Sequence, residues 1–470
     1  MIKKCPQIQP HYSIQIIEPK HVYLLGEQST HALTGQLYCQ ILPLLDGQHD
    51  LDAIYHKLDG LVLPEHIDYV LDRLKEKGYL TQAAPELSPE VAAFWSALEV
   101  APTIAARGLG EQQVAIATVG NIGNLTKVSL TEALRETGVN STQPQNGKSP
   151  TAALQVVLTD DYLQPQLSEI NQNCLSTNQP WILVKPVGNI LWLGPIFVPS
   201  ATGCWNCLTQ RLRGNQEIET SLLRQKQKQA DNVSIKSRGD VVGCLPKARA
   251  TLPSTLQMGL QFAATEIAKW VVGQKVKETE ESLSFPTLEG KIITFNLHHL
   301  ELKTHALPHR PQCPTCGNIK LLHDRGFQAV TLKSQPKHFT RDGGHRAVTP
   351  EQTVQKYEHL ISPLTGIVTE LVRISDPGNP LVHTYRAGHS FGSATSLRGL
   401  RHALRHKSSG KGKSDSQSRA SGFCEAVERY SGIYQGDEPR INSTIAELGG
   451  KAIHPEQCLL FSDRQYHNRE

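Results

Sequence analysis

Two residue patterns in this 470-residue chain are suited to chemistry. The first is a pair of Cys-x-x-Cys motifs, Cys204-Trp-Asn-Cys207 and Cys313-Pro-Thr-Cys316, separated by 105 residues. Each puts two thiolates on one tight turn, and two such turns complete a tetrahedral sulfur site suited to Zn²⁺. A thioredoxin-type redox motif needs one pair on a βαβ unit, and the second pair argues against it. Four protein ligands close the coordination, so the expected zinc is structural and clips together two distant parts of the chain.

The second pattern runs from Ser408 to Tyr430. Ser409-Gly-Lys-Gly-Lys413 reads as a flexible loop that lets an anion approach, and the residues after it read as a helix. Ser418, Ser421, Glu425 and Glu428 recur at i, i+3, i+7 and i+10, on one helical face. Ala420, Phe423, Cys424 and Val427 form the apolar stripe of the other face. Paired carboxylates beside hydroxyls and lysines make a cradle for magnesium-bound polyphosphate, because Mg²⁺ takes oxygen ligands and bridges to phosphates. From Arg398 to Arg419 seven basic residues face a single acid, Asp415, a field that attracts phosphate generally and can also mark nucleic-acid binding. The loop is no Walker A motif, because Lys407 stands where that motif needs glycine. Since an i, i+3 glutamate pair is commonly just a solvated face, the residues alone reach only a phosphate and metal site.

Three units must position these patterns, and the length allows two to four. Charged residues at 20% and hydrophobic ones at 39% describe a globular protein and exclude a disordered one. The net charge, 48 − 44 = +4, is too small to imply a nucleic-acid partner. No signal peptide precedes Pro10, and the apolar run from Trp181 to Pro199 is broken by Lys185, Pro186 and Pro195, as buried strands are. Ten cysteines, four of them in the paired motifs, suit a reducing cytoplasm, and no membrane partner is expected.

Residues 1–85 read as two strands, at 12–18 and 22–25, followed by three short helices. The first helix is capped by Thr34 and runs to Leu45; the second spans Leu51 to Leu58; the third starts at Pro64 and stops at Gly78. That order predicts a winged helix-turn-helix. Seven basic and ten acidic residues give it a net −3, the wrong sign for entering a DNA groove. Residues 86–325 read as α/β, with strands at 114–119, 153–158 and 181–184 and helices at 130–137 and 251–272. After the first of those strands stands Gly120-Asn-Ile-Gly-Asn124, which lacks the glycine pattern of a dinucleotide fold. Cys244 reads as a buried structural thiol, Leu222 to Asp240 as a mobile polar loop, and Ser334 to His345 as a linker.

Arg386-Ala-Gly-His-Ser-Phe-Gly392, Ser409-Gly-Lys-Gly-Lys413 and Ser421-Gly-Phe-Cys-Glu-Ala-Val-Glu-Arg-Tyr430 together resemble the opening of a YcaO domain, over about Thr384 to Arg440. In its order of parts the whole chain resembles the cyanobactin heterocyclases. The resemblance implies an enzyme that uses ATP to close Cys, Ser or Thr side chains of a ribosomal precursor peptide into thiazoline or oxazoline rings. It implies a nucleotide site of Lys411, Gly412, Lys413, Ser421, Glu425, Glu428 and Arg429, with Mg²⁺ on Glu425 and Glu428, and it identifies no catalytic base. Residues 1–85 are similar to PqqD-related domains that bind leader peptides. By β-augmentation the leader would pair with an edge formed by Glu27, Gln28, Ser29, Thr30, His31, Ala32 and Leu33, while Tyr69, Arg73 and Lys77 meet its acidic side chains. The middle is similar to E1/ThiF adenylating enzymes, degenerate in its nucleotide motif and so expected to act as scaffold. Homodimerisation is a further expectation. The family's YcaO domain is longer than 345–470, so the reading here is a partial α+β YcaO domain on a multidomain α/β chain. Two rival readings are a leader-binding adaptor without chemistry and an active E1-like adenylating enzyme.

Overall fold

The computed structural model describes residues 5–142, 152–231, 241–248, 250–279, 285–326, 328–338, 344–389, 397–405, 407–435 and 438–468. Its first part is a winged helix-turn-helix. Strands β1 (Pro6–Ile8), β2 (Ser13–Ile17), β3 (His21–Leu25) and β4 (Thr30–Thr34) lead into helices α1 (Gln36–Ile41), α2 (Leu51–Leu58) and α3 (Pro64–Glu76), and β5 (Leu80–Gln82) closes back on β1. Thr34 caps no helix: it pairs with His21 as the last residue of β4, and Gly35 precedes α1. Asp50 caps α2 by accepting the Ala53 amide, and Pro64 starts α3 where a missing N–H costs nothing. Ile67, Val70 and Leu74 fall on one side of α3 and are buried against Val22, Leu24, Ile41 and Ile54. In the meander β2-β3-β4 the outer side of β4 carries no partner strand among the described residues.

Helices α4 (Pro89–Ala97) and α5 (Pro102–Glu111) lead into an α/β layer of seven strands ordered β12-β11-β10-β9-β8-β6-β7. Strands β6 (Gln113–Val119), β7 (Asn140–Thr142), β8 (Leu154–Thr159) and β9 (Trp181–Lys185) are parallel. Strands β10 (Ile190–Phe197), β11 (Lys291–Asn296) and β12 (Glu301–Ala306) continue the sheet antiparallel. Alternation along β8 sends Val156 and Leu158 to one face and Val157 to the other. The first face packs on α5, α6 (Asn124–Glu136) and the 26-residue α10 (Pro253–Glu278). The opposite face packs on α7 (Leu167–Ser176) and α8 (Trp205–Asn215). The expected polar loop is helical as far as it is described: α9 (Glu217–Asp231) uses buried Thr220, Ser221 and Arg224 to pack a sequence with few apolar residues. Residues 232–240 of that loop lie outside the described residues.

After α11 (Leu321–Gly326) and α12 (Pro350–Tyr357) comes an antiparallel sheet β13-β14-β15, from β13 (Val368–Arg373), β14 (His383–His389) and β15 (Lys407–Gly412). Helix α13 (Leu397–Arg405) lies between the last two strands in sequence, and α14 (Asp415–Ser431) covers one face of the sheet. No described helix is long and apolar enough to cross a membrane.

Candidate functional sites

The four motif cysteines meet. Cys204 caps α8 and Cys207 sits in its first turn, while Cys313 and Cys316 lie on the turn after β12. Sγ of Cys204 is 3.7 Å from that of Cys313, and Sγ of Cys207 is 3.6 Å from that of Cys316. All four sulfurs lie within 4.8 Å of one another. A tetrahedral zinc with Zn–S near 2.3 Å spaces its sulfurs by about 3.8 Å, so the cluster already has the size of a coordination shell. The turn is tight because Gly317 lies where any side chain would overlap Pro311 and Cys313 backbone. The Arg310 amide donates to Cys207 Sγ at 3.5 Å, and Asn206 on α8 donates to Thr315 Oγ1 at 2.7 Å, tying the two turns together. Hydrogen bonds among the sulfurs divide the protons: Cys207 first and then Cys313 push the Cys204 thiol up, whereas Cys313 is drawn far down as acceptor from Cys204. Cys316 is lowered to about 6, again chiefly by Cys204. Four clustered sulfur donors, three of them buried, fit a soft metal ion.

The Ser409-Gly-Lys-Gly-Lys413 segment is not a loop but edge strand β15. Its glycines serve packing: a methyl on Gly410 would overlap the Ser418 carbonyl and the Gly422 amide of α14. Ser408 and Gly410 therefore point into α14, while Lys407, Ser409 and Lys411 alternate outwards. Ser418, expected on the open face, is buried and donates to the Gly410 carbonyl at 2.9 Å. Cys424, expected in the apolar stripe, is exposed, and Ala426 is buried beside Phe423 instead. The helix is rolled because only small residues tolerate the backbone of β15. Ser421, Glu428 and Arg429 remain exposed. Glu425 is held: one oxygen accepts Arg429 Nε at 2.8 Å and the other the Ser409 amide at 3.3 Å. On the outward side of the sheet Glu370 pairs with Lys407 at 3.2 Å and Arg386 at 3.4 Å. Of the Arg386–Gly392 motif, 390–392 lie outside the described residues.

In the winged helix, Thr30, His31, Ala32 and Leu33 belong to β4, with Leu33 buried, and Glu27, Gln28 and Ser29 form the turn before it. Tyr69 is 63% exposed on α3, Arg73 pairs with Glu76 at 3.3 Å, and Lys77 caps the helix. Glu27, Gln28, Ser29, His31 and Lys77 line a 1320 Å³ cleft that Tyr12, Tyr79 and Phe94 complete; Tyr69 and Arg73 lie outside it. Its wall is stiff, because Tyr12, His31 and Tyr79 contact one another edge-on or tilted. Ser96 on α4 donates to Gln9 Oε1 at 2.6 Å and lies 2.6 Å from His11 Nδ1.

At the end of β6, Gly120 (φ 77°) is covered by Asp160 Oδ1 and Gln164, which are joined by a 2.7 Å hydrogen bond. A side chain at 120 would therefore overlap the Asp160 carboxylate. Cys244 is half-buried against the core beside the cysteine cluster, more open than expected.

Residues 7–82 match the model of a winged helix-turn-helix domain, and residues 409–470 match the YcaO cyclodehydratase model, described as ATP- and Mg²⁺-binding. A heterocyclase solved in complex with substrate and cofactor is 65% identical over 99% of this chain and 59% of its own, with a TM-score of 0.89. Over nearly its whole length the chain is thus similar to a heterocyclase, and its residues 409–470 match a YcaO domain. The heterocyclase TruD is 53% identical over 99% of this chain and 57% of its own, with a TM-score of 0.79. No curated protein sequence matches. The chain thus spans less than two thirds of the length of these two heterocyclases.

Sequence reasoning missed how the chain joins its parts. Arg211 Nη1 donates to the Tyr430 hydroxyl at 2.6 Å, and Asn215 Nδ2 donates to the carbonyls of Leu364 and Gly366. Buried His305 sits between Thr294 Oγ1 at 3.0 Å and Ser362 Oγ at 2.8 Å. Burial, and then Lys303, lowers His305 to about 4, which keeps it neutral. Apart from Thr294, 11 residues from His305, these partners are 57 to 219 residues apart, and no local pattern marks them.

Proposed function

We propose that the chain contributes to an ATP- and Mg²⁺-dependent peptide cyclodehydratase, recruiting precursor peptides by their leader and closing Cys, Ser or Thr into thiazoline or oxazoline rings. The observation that carries the reading is the match to two heterocyclases over 99% of this chain, with the YcaO match falling on β15 and α14. Its division of labour is leader recognition in 1–85, a zinc-bearing E1/ThiF-like scaffold in 86–325, and part of the YcaO domain in 345–470.

In the reaction the substrate thiol or hydroxyl attacks the preceding amide carbonyl. Transfer of the γ-phosphoryl of ATP to the resulting oxyanion, with ADP as leaving group, would let that oxygen depart as phosphate while the amide nitrogen gives up its proton and the C=N bond forms. The chain's part is charge and orientation. Glu425 and Glu428 would hold Mg²⁺; Lys411, Lys413 and Arg429 would face phosphate, with Gly412 and Ser421 beside them. For Glu425 to take a metal, its Arg429 partner must turn to the nucleotide, a switch that one i, i+4 pair permits at small cost. Cys204, Cys207, Cys313 and Cys316 would hold Zn²⁺ as a closed, structural site. The leader would add a strand to β4 at Thr30–Leu33, passing the Glu27–Ser29 turn, with Tyr69, Arg73 and Lys77 along α3.

The test is intact mass of a leader-bearing precursor after incubation with this chain, ATP and Mg²⁺. Loss of one water per ring, dependent on ATP, supports the reading. Leader binding with no mass change and no ATP turnover supports the adaptor reading instead, which the engagement of Glu425 by Arg429 favours. Binding of neither leader nor nucleotide removes both.

A further inference from the structure

Helix α8 has four positions that are neither buried nor open, and all four are used. Asn206 bonds Thr315 on the second cysteine turn. Gln210 donates to Gln435 Oε1 at 2.9 Å, Arg211 to the Tyr430 hydroxyl, and Asn215 to the carbonyls of Leu364 and Gly366. The guanidinium of Arg211 also lies 5.1 Å from the centre of the Tyr430 ring. One end of α8 is therefore fixed in the cysteine cluster, and its polar side grips the last turn of α14.

We propose that Arg211, with Gln210, is a positioning residue that holds the last turn of α14 and so steadies the direction of Glu425 and Glu428. It rests on the reading of α14 as the magnesium-nucleotide helix. At about 100° per residue, Tyr430 lies roughly 140° around the helix from Glu425 and about 160° from Glu428. The grip is thus on the back of the helix and leaves the carboxylate side free for ligand. Arg211 touches no candidate ligand, and its effect must pass through Tyr430. A stacked, hydrogen-bonded guanidinium resists both rotation and sliding of the ring, which a single hydrogen bond does not. The packing of α14 on β15 acts two to three turns earlier, at Ser418 and Gly422 against Gly410, and does not hold the last turn.

The experiment is Mg·ATP binding by calorimetry together with amide exchange over 415–431, on the full 470-residue chain with its metal. Arg211→Ala should weaken Mg·ATP about tenfold and speed exchange across 415–431, with exchange over 5–85 and metal content unchanged. Arg211→Lys, which keeps the charge but loses the planar fork, and Tyr430→Phe, which keeps the ring but loses the hydroxyl, should fall between. These two milder variants decide the matter if Arg211→Ala does not fold. Unchanged exchange over 415–431 in every variant overturns the proposal. Faster exchange with unchanged Mg·ATP affinity overturns it also, leaving only a structural contact. If the parent chain binds no Mg·ATP, the nucleotide reading of α14 fails, while the exchange result still decides whether α8 fixes that helix.

Discussion

The first and last units of the molecule are held together in opposite ways. The winged helix buries thirteen apolar side chains in a core of its own, from Ile8 to Leu74. Among the described residues the packed core of the β13–β15 sheet with α14 holds four, Val368, Ala387, Phe423 and Ala426. What the latter lacks in apolar burial it draws from its neighbour: Arg211, Asn215 and His305 of the middle unit all bond into it. On the proposed reading, a first unit that recognises a peptide by a strand edge can be self-contained, since backbone pairing needs only a stiff sheet. A phosphate site on α14 would need side chains aimed to a fraction of an ångström, and borrowed polar contacts supply direction that a small core cannot.

Breaking the cysteine cluster should separate the two units most. Cys313→Ser is expected to abolish stoichiometric metal and destabilise the middle unit by about 5 kcal/mol or more. Elemental analysis and amide exchange should show α8 and α14 loosening together, while 5–85 keeps its protection. Metal-free parent protein with full stability would remove the zinc assignment.

Gly410→Ala comes next. A methyl with no room between β15 and α14 should cost about 3 kcal/mol, felt over 407–431 alone. A variant as protected as the parent there would mean that the strand and helix are not packed backbone to backbone.

Acid should act on the borrowed contacts before the self-contained core. The folded value of His305, about 4, lies below the ordinary 6.5, so the folded state resists protonation and the unfolded state does not. Its stabilisation is whole above pH 6.5 and is lost as pH falls towards 4, by at most about 3 kcal/mol. Exchange at 361–366 should rise across that window. His11 in the first unit, lowered by burial and then by His31, shifts in the same direction but is half-exposed, so 5–85 should respond less. Equal responses would erase the contrast.

The smallest change should be Arg73→Ala. Its pair with Glu76 is exposed, so stability should move by no more than about 0.5 kcal/mol, while leader affinity falls. An unchanged affinity by fluorescence titration would confine recognition to the β4 edge and the cleft.

Local signals carried much of the fold. Pro64 and Gly78 bracket α3, the run from Trp181 folds as strands, and Gly120, at a positive φ, ends β6 against Asp160. These are legible because caps, proline and period act over a few residues. The paired cysteines were legible as well, because metal chemistry requires four donors and the spacing offered just two turns of two. Other outcomes could not be read locally. Ser409–Lys413 has the composition of a loop, yet it is a strand because β14 pairs with it and α14 needs glycine against its backbone. Ser418 and Cys424 exchange inside for outside because the roll of α14 is set by that contact, not by its own periodicity. Thr34 ends a strand instead of starting a helix because His21 is its partner. Chain-local energies are written in the sequence, whereas the meeting of Arg211 with Tyr430, or His305 with Ser362, depends on closing loops of 219 and 57 residues, which only the packed cores between them achieve.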